Sequence, residues 1–359
     1  GEMKSKPTQH AVRALNSVGI QADIIVARSS VPIDLPRKEK ISRLCSVHPE
    51  DIISAPDIES VYEVPLNFER DHVGERILNK FGIKARKNNN QLWKQLIDKI
   101  HSVKGVVKIG IIGKYFTDGK FILADSYVSV IEAVKHASWA VGKKPEISWI
   151  SAEKYETDPK SLKELQEFDG IIIPGGWGSR GIEGKISAVN YARIHKIPFL
   201  GLCLGLQVAV IEYSRNILGI KDATSAEINP DGKNKVIDVM PDQKVLIKEK
   251  NYGGTNRLGA YRCKLMPKTI SYLAYGKEEI TERHRHRYEL NNDYRERLSK
   301  AGMVVGGVNP ERDLVEIIEL PNHPFFVGTQ FHPELKSRPL SPHPLFKAFI
   351  AAAIKTARK

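Results

Sequence analysis

The sequence runs to 359 residues, 41% hydrophobic and 27% charged, with 55 Lys and Arg against 42 Asp and Glu for a formal net charge of +13. That length can bury one large core or two modest ones, no run of eighteen apolar residues marks a membrane span, and the opening "GEMKSKPTQH" carries neither a signal-peptide core nor a transit pattern. The basic groups permit an anionic partner, but acids interleave with them in "RKEK" and "TERHRHRYE" and no zinc-finger or RNA-recognition signature accompanies them, so bound phosphates or a solvated surface are preferred to nucleic acid.

In chain order, "DIIVARS" is predicted as a buried strand, "PRKEKISRLC" as a helix start, "PDIESVYEVPLNFER" as a turn and helix, and "DHVGERILNKFG" as another helix. Residues 1–80 have few strands and are too short for a complete α/β domain, so the sequence is expected to open inside one. The stretch "IKARKNNNQLWKQLIDKIHSVKG" is basic and Asn-rich before it turns helical, and residues 81–104 are assigned as an interdomain linker. From residue 105 to 359, short apolar runs alternate with helical patterns: "KIGIIG", "SVIEAVKHASWAV", "EISWI", "SLKELQEF", "DGIIIPGG", "SAVNYARIH", "IPFLGLC" and "LGLQVAVIEYSRN". This alternation predicts an α/β domain with a mainly parallel sheet. Further strands are read in "KVIDVM", "YRCKLM", "MVVGGV", "LVEIIEL" and "FFVGTQF", and a closing helix in "HPLFKAFIAAAIKTARK".

Three widely spaced cysteines, Cys45, Cys203 and Cys263, fit thiols in a reducing cytoplasm better than a disulfide framework. A lone cysteine is ordinarily a small buried hydrophobe. Cys203 differs because it sits where a predicted strand turns into a predicted helix, with Gly201 and Gly205 flanking it as glycines flank a nucleophile elbow. The helix N-terminus there favours a thiolate. A base and its orienting partner are available in "FVGTQFHPEL", where His332 and Glu334 lie two apart after a strand and would face one side in an extended segment. "IIIPGGWGSRG" places Gly175 and Gly176 at a strand end, where backbone N–H groups can form an oxyanion hole. In "RHRHR", alternation puts Arg283, Arg285 and Arg287 on one side and His284 and His286 on the other, and no further ligands stand at metal-binding spacing.

The segments "GLCLGLQ", "IIIPGGWGSRG" and "FHPE" resemble the class I glutamine amidotransferase domain, and "PGGWGSRGIEGKI", "YGGTNRLGAY", "ERHRHRYELNN", "VEIIELPNHPFFVGTQFHPE" and "GEMKSKPTQHAV" extend the likeness, over essentially the whole chain, to the CTP synthase family. The resemblance implies a cytoplasmic ligase of pyrimidine biosynthesis whose Cys203, His332 and Glu334 hydrolyse glutamine. Gly176 and Leu204 would supply the oxyanion N–H groups, while Gln207, Glu227 and Arg287 would grip the amino-acid end of the substrate. It further implies that Lys4, Lys6, Gln9 and Lys40 contact UTP or CTP. Two lysines in an extended loop would approach one polyphosphate. Arg28, Asp57 and Ile58 match the adenine edge of an ATP site in stretches that depart more from the family pattern. Trp177 and Arg180 are assigned to the activator GTP by stacking and charge, and "NYGGTNRLG", from Asn251 to Gly259, resembles a mobile lid. ATP with Mg2+, GTP as activator, CTP as feedback inhibitor and a homotetramer follow from the same resemblance, with no prosthetic group. No G-x-x-x-x-G-K-[ST] motif appears, so this stretch by itself is expected to hydrolyse glutamine only. The competing readings are a free-standing cysteine hydrolase of γ-glutamyl compounds with the same fold and a catalytically silent binding module.

Overall fold

The computed structural model describes residues 4–86, 90–114, 127–239 and 256–357. The chain divides into two compact units, residues 1–101 and 102–359. In the first, β1 (Ile25–Ser29) and β2 (Ile52–Pro56) pair in parallel, and Ile25, Ala27, Ile41, Cys45 and Ile52 form a small core. Two elements here differ from the sequence reading. Lys6 starts a helix, Lys6–Ser17, with Pro7 in its first turn, where a missing N–H costs nothing. The strand β2 is absent from the strands read in the sequence, while the linker stretch read as turning helical does so at Gln91–Ser102, with the boundary after His101. Trp93 fixes that helix to the first unit by donating its indole N–H to the Tyr62 carbonyl at 2.8 Å.

The second unit is built on β3 (Val106–Gly113), β4 (Lys144–Ser151), β5 (Gly170–Ile173) and β6 (Phe199–Leu202), followed by β7 (Thr224–Ser225), β8 (Lys235–Val239), β9 (Arg257–Leu265), β10 (Glu279–His286), β11 (Tyr288–Leu290), β12 (Val304–Asn309), β13 (Leu314–Glu319) and β14 (Phe326–Thr329). A nine-stranded sheet runs in the order β10-β9-β12-β13-β14-β6-β5-β3-β4. Its strands from β14 to β4 are parallel, and those from β14 to β10 are antiparallel.

The parallel strands are apolar on both faces because helices cover both. Ile171, Ile173 and Phe199 pack with the helices Ile182–His195 and Leu204–Asn216, whereas Ile172, Leu200 and Leu202 pack with Val128–Ala140 and Pro344–Thr356. Each fully buried Ile, Leu or Phe side chain contributes about 1.5–3 kcal/mol, so the two layers hold the carboxyl ends of β5, β6 and β14 in fixed register. Those ends carry the site.

Two histidines packed into this core make its stability depend on pH. His136 bonds Ser337 Oγ through Nδ1 at 3.1 Å, and His323 bonds the Ala192 carbonyl through Nε2 at 3.2 Å. Burial disfavours the imidazolium and lowers both pKa values to about 4. The unfolded chain therefore takes up protons below pH 6.5 that the folded chain refuses until about pH 4, and stability falls as pH drops through that window. The expected urea midpoint declines from pH 7 to pH 5, and replacing both histidines with glutamine flattens the decline. An equal slope in the double variant contradicts the assignment.

Candidate active site

β6 ends at Leu202 and a helix begins at Leu204, which leaves Cys203 to make the turn between them. It does so at φ 53° and ψ −99°, a conformation that costs a non-glycine residue energy and persists only where the surroundings enforce it. Its N–H donates to the Thr329 carbonyl at 2.6 Å, tying the elbow to β14. The flanking glycines are required by close backbone approach. A Cβ on Gly201 would lie 2.6 Å from the Gly205 carbonyl carbon, and one on Gly205 would lie 2.2 Å from the Ile173 carbonyl oxygen. The strand and helix touch main chain to main chain, which is what turns Cys203 toward the carboxyl edge of the sheet.

His332 follows β14, and its N–H donates to the Arg283 carbonyl of β10 at 2.8 Å. Its Nδ1 lies 2.7 Å from Glu334 Oε1. Glu334 reaches back because Pro333–Lys336 forms a 3-10 turn, so a tight turn and not extended alternation makes the pair. A Cβ on Gly175 would meet His332 Cε1 at 2.7 Å, with Cys203 Cβ in ordinary contact at 3.6 Å, so it is the imidazole that requires glycine here. Burial alone would depress the His332 pKa, but the Cys203 sulfur and the Glu334 carboxylate outweigh it and raise the value well above the usual range. Both groups therefore favour the imidazolium over the neutral ring.

Cys203, His332 and Glu334 line a cavity of about 330 Å³ together with Gly175, Gly176 and Arg285. Gly176 stands against Leu204, whose Cδ2 would be 3.2 Å from an added Cβ, so the strand-end glycine and the first helical residue are neighbours beside the sulfur. Gln207, Glu227 and Arg287 do not line this cavity but converge on Tyr288. Gln207 donates to the Tyr288 carbonyl at 2.9 Å, and the Arg287 side chain hydrogen-bonds to Tyr288. Burial raises the Tyr288 pKa, with the nearby Glu227 carboxylate adding to the effect. Glu227 also accepts the Gly178 N–H at 2.7 Å, which anchors the glycine loop.

Arg285 and Tyr288 are site residues that the motif reading passed over. Alternation along β10 marks Arg285 as outward-facing, but nothing in the spacing tells which of three arginines meets the cavity. Of the inward side chains, His284 Nε2 lies 2.7 Å from Glu316 Oε2, and Arg257 of the neighbouring β9 bonds both Glu316 and Glu289. Trp177 is 39% exposed, so it is not a core residue. Arg180 is paired with Glu153. Residues 251–255 of the expected lid lie outside the described residues, and Arg257, Leu258 and Gly259 begin β9.

In the first unit, Lys4, Arg28 and Lys40 line one cavity of about 650 Å³ with Arg37, Ser29 and Ser30. Lys6, Gln9, Asp57 and Ile58 are not among its lining residues. Lys6 stands on the helix instead of in an extended loop, Gln9 donates to Ser5 Oγ at 3.0 Å, and Asp57 pairs with Arg28 at 2.8 Å. The residues divided at the outset between a pyrimidine and an adenine nucleotide thus share a pocket in part.

Two family models match the sequence: glutamine amidotransferase class-I over residues 122–352, and CTP synthase N-terminus over residues 1–83. The chain is 49% identical over 356 residues to a CTP synthase of Carboxydothermus hydrogenoformans, covering 99% of this chain and 65% of that protein. It is 48% identical over 354 residues to a CTP synthase of Nostoc punctiforme, covering 99% and 63%. The chain therefore spans somewhat less than two thirds of the length of these relatives. Among solved structures, the glutaminase domain of the Trypanosoma brucei CTPS with bound acivicin is 37% identical, with a TM-score of 0.64, and the match covers 70% of this chain and 96% of that one.

Proposed function

Since the chain belongs to the class I glutamine amidotransferases and, within them, to the CTP synthase family, we propose that its second unit is the glutaminase that feeds ammonia to CTP synthesis. The observation that carries this reading is the strained Cys203 elbow facing an imidazole that Glu334 holds at 2.7 Å. The Cys203 thiolate adds to the side-chain carbonyl carbon of glutamine, and the resulting oxyanion is met by the N–H groups of Gly176 and Leu204. His332 gives its proton to the amide nitrogen, the C–N bond breaks and ammonia leaves. Water then loses a proton to His332 and attacks the thioester. The C–S bond breaks, releasing glutamate and restoring thiolate and imidazolium, so the sum is glutamine plus water to glutamate plus ammonia. Arg285, which lines the cavity, is the cation placed for the substrate α-carboxylate, which a guanidinium fork suits.

The whole reaction, UTP and ammonia to CTP at the expense of ATP, is proposed for the protein in cytoplasmic, homotetrameric form. Lys4, Arg28 and Lys40 in their common cavity are the groups here that suit a nucleotide polyphosphate. GTP activation is assigned to Trp177, whose exposed ring is open to stacking, and CTP is assigned as the feedback inhibitor. Among the described residues no three His, Cys, Asp or Glu side chains come together as a metal site, and no step is assigned to magnesium. The match over residues 1–83 separates this reading from a free-standing γ-glutamyl hydrolase.

The test is glutamate release from glutamine by this chain, followed with and without UTP, ATP and GTP. Acivicin, found in the Trypanosoma brucei domain, should label Cys203 and stop the release. Labelling elsewhere, or release that continues after Cys203 is labelled, contradicts the proposal.

A further inference from the structure

One buried polar side chain touching the sulfur has no part in the chemistry described so far. Gln330 is fully buried. Its backbone N–H donates to the Glu316 carbonyl at 2.8 Å, which fixes its main chain to β13. Its Nε2 donates to Cys203 Sγ at 3.7 Å, and its Oε1 accepts from Gln207 Nε2 at 3.5 Å. Gln207 also donates to the Tyr288 carbonyl. The Gln330 carboxamide is therefore oriented from both ends, because reversing it would set its NH2 against that of Gln207 and its carbonyl oxygen against the sulfur.

We propose that Gln330 is a catalytic residue of the glutaminase reaction, a second hydrogen-bond donor to the Cys203 thiolate whose orientation is set by Gln207. This rests on the glutaminase reading given above. The titratable and charged groups around the sulfur are His332 and Glu334 after β14 and Arg285 on β10. His332 surrenders its proton to the leaving amide and recovers one from water, so its N–H serves the substrate as well as the sulfur. A carboxamide donates at every pH and every stage, and a donor to an anion is worth more than a neutral one. Gln330 thus adds a fixed second donor beside the imidazolium, both in the resting thiolate and as thioester cleavage returns charge to the sulfur.

The experiment is the pH dependence of iodoacetamide alkylation at Cys203, read by peptide mass spectrometry in the unsubstituted chain, Gln330→Met and Gln330→Glu. Methionine keeps the volume and removes the donor, so the alkylation midpoint rises by about one pH unit and alkylation below it slows roughly tenfold. Glutamate adds a second anion beside the sulfur and raises the midpoint further. A midpoint unchanged in both folded variants, with Cys203 still reactive, overturns the role of Gln330 alone. If methionine prevents folding, as judged by circular dichroism, the glutamate variant decides by the same criterion. A Cys203 that alkylates no faster in the unsubstituted chain than the same cysteine in urea overturns the glutaminase reading and the role of Gln330 together.

Discussion

Cys203→Ala abolishes glutamate release, with an expected loss of roughly 10⁴-fold or more, because members of a nucleophile–base unit are not replaceable by the others. Alanine keeps the turn compatible with its neighbours, since Cys203 already carries a Cβ at φ 53°. The fold should therefore survive, and the defect is chemical. The decisive comparison is made in a longer chain carrying the remainder that the relatives have, assayed for CTP formation with glutamine and then with ammonium salts at a pH where free ammonia is present. Activity with glutamine disappears while activity with ammonia persists. Equal loss with both nitrogen sources would place Cys203 outside nitrogen delivery and remove the role assigned to it.

The second large effect is on stability. Gly205→Ala places a methyl group 2.2 Å from the Ile173 carbonyl oxygen, a contact with main chain that no rotamer change relieves. The helix Leu204–Asn216 must then separate from β5, and the elbow loses the enforcement that holds Cys203 in its strained geometry. The expected cost is about 3 kcal/mol, seen as a lowered urea midpoint with glutaminase activity lost even where the protein remains folded. Gly219→Ala is the contrast: its φ is 72° but no atom lies within 4 Å of the added Cβ, so only backbone strain of about 1 kcal/mol applies. Equal stability of the two variants would mean that the contact between helix and strand is not what shapes the elbow.

The sequence itself was sufficient for whatever depends on neighbours along the chain. Short continuous apolar runs alternating with helical patterns locate β3 to β6 and the helices between them. Two glycines around Cys203 announced an elbow, since the need for a missing Cβ is written in the residue type. Local reading is less successful where the deciding contact comes from elsewhere: it puts Lys6 in an extended loop where the helix Lys6–Ser17 forms, reads no strand at β2, and assigns the helical stretch Gln91–Ser102 to a linker although Trp93 bonds Tyr62. The site divides in the same way. Residue types and the family likeness nominated Cys203, His332 and Glu334, but the order of β14 beside β6 brings them together, and a 3-10 turn lets Glu334 reach the ring. That Arg285 lines the cavity, that Arg287 turns to Tyr288 and that Gln330 touches the sulfur were decided by tertiary structure alone. Strand order and register minimise buried polar groups over the whole sheet, and no window of the sequence contains that sum.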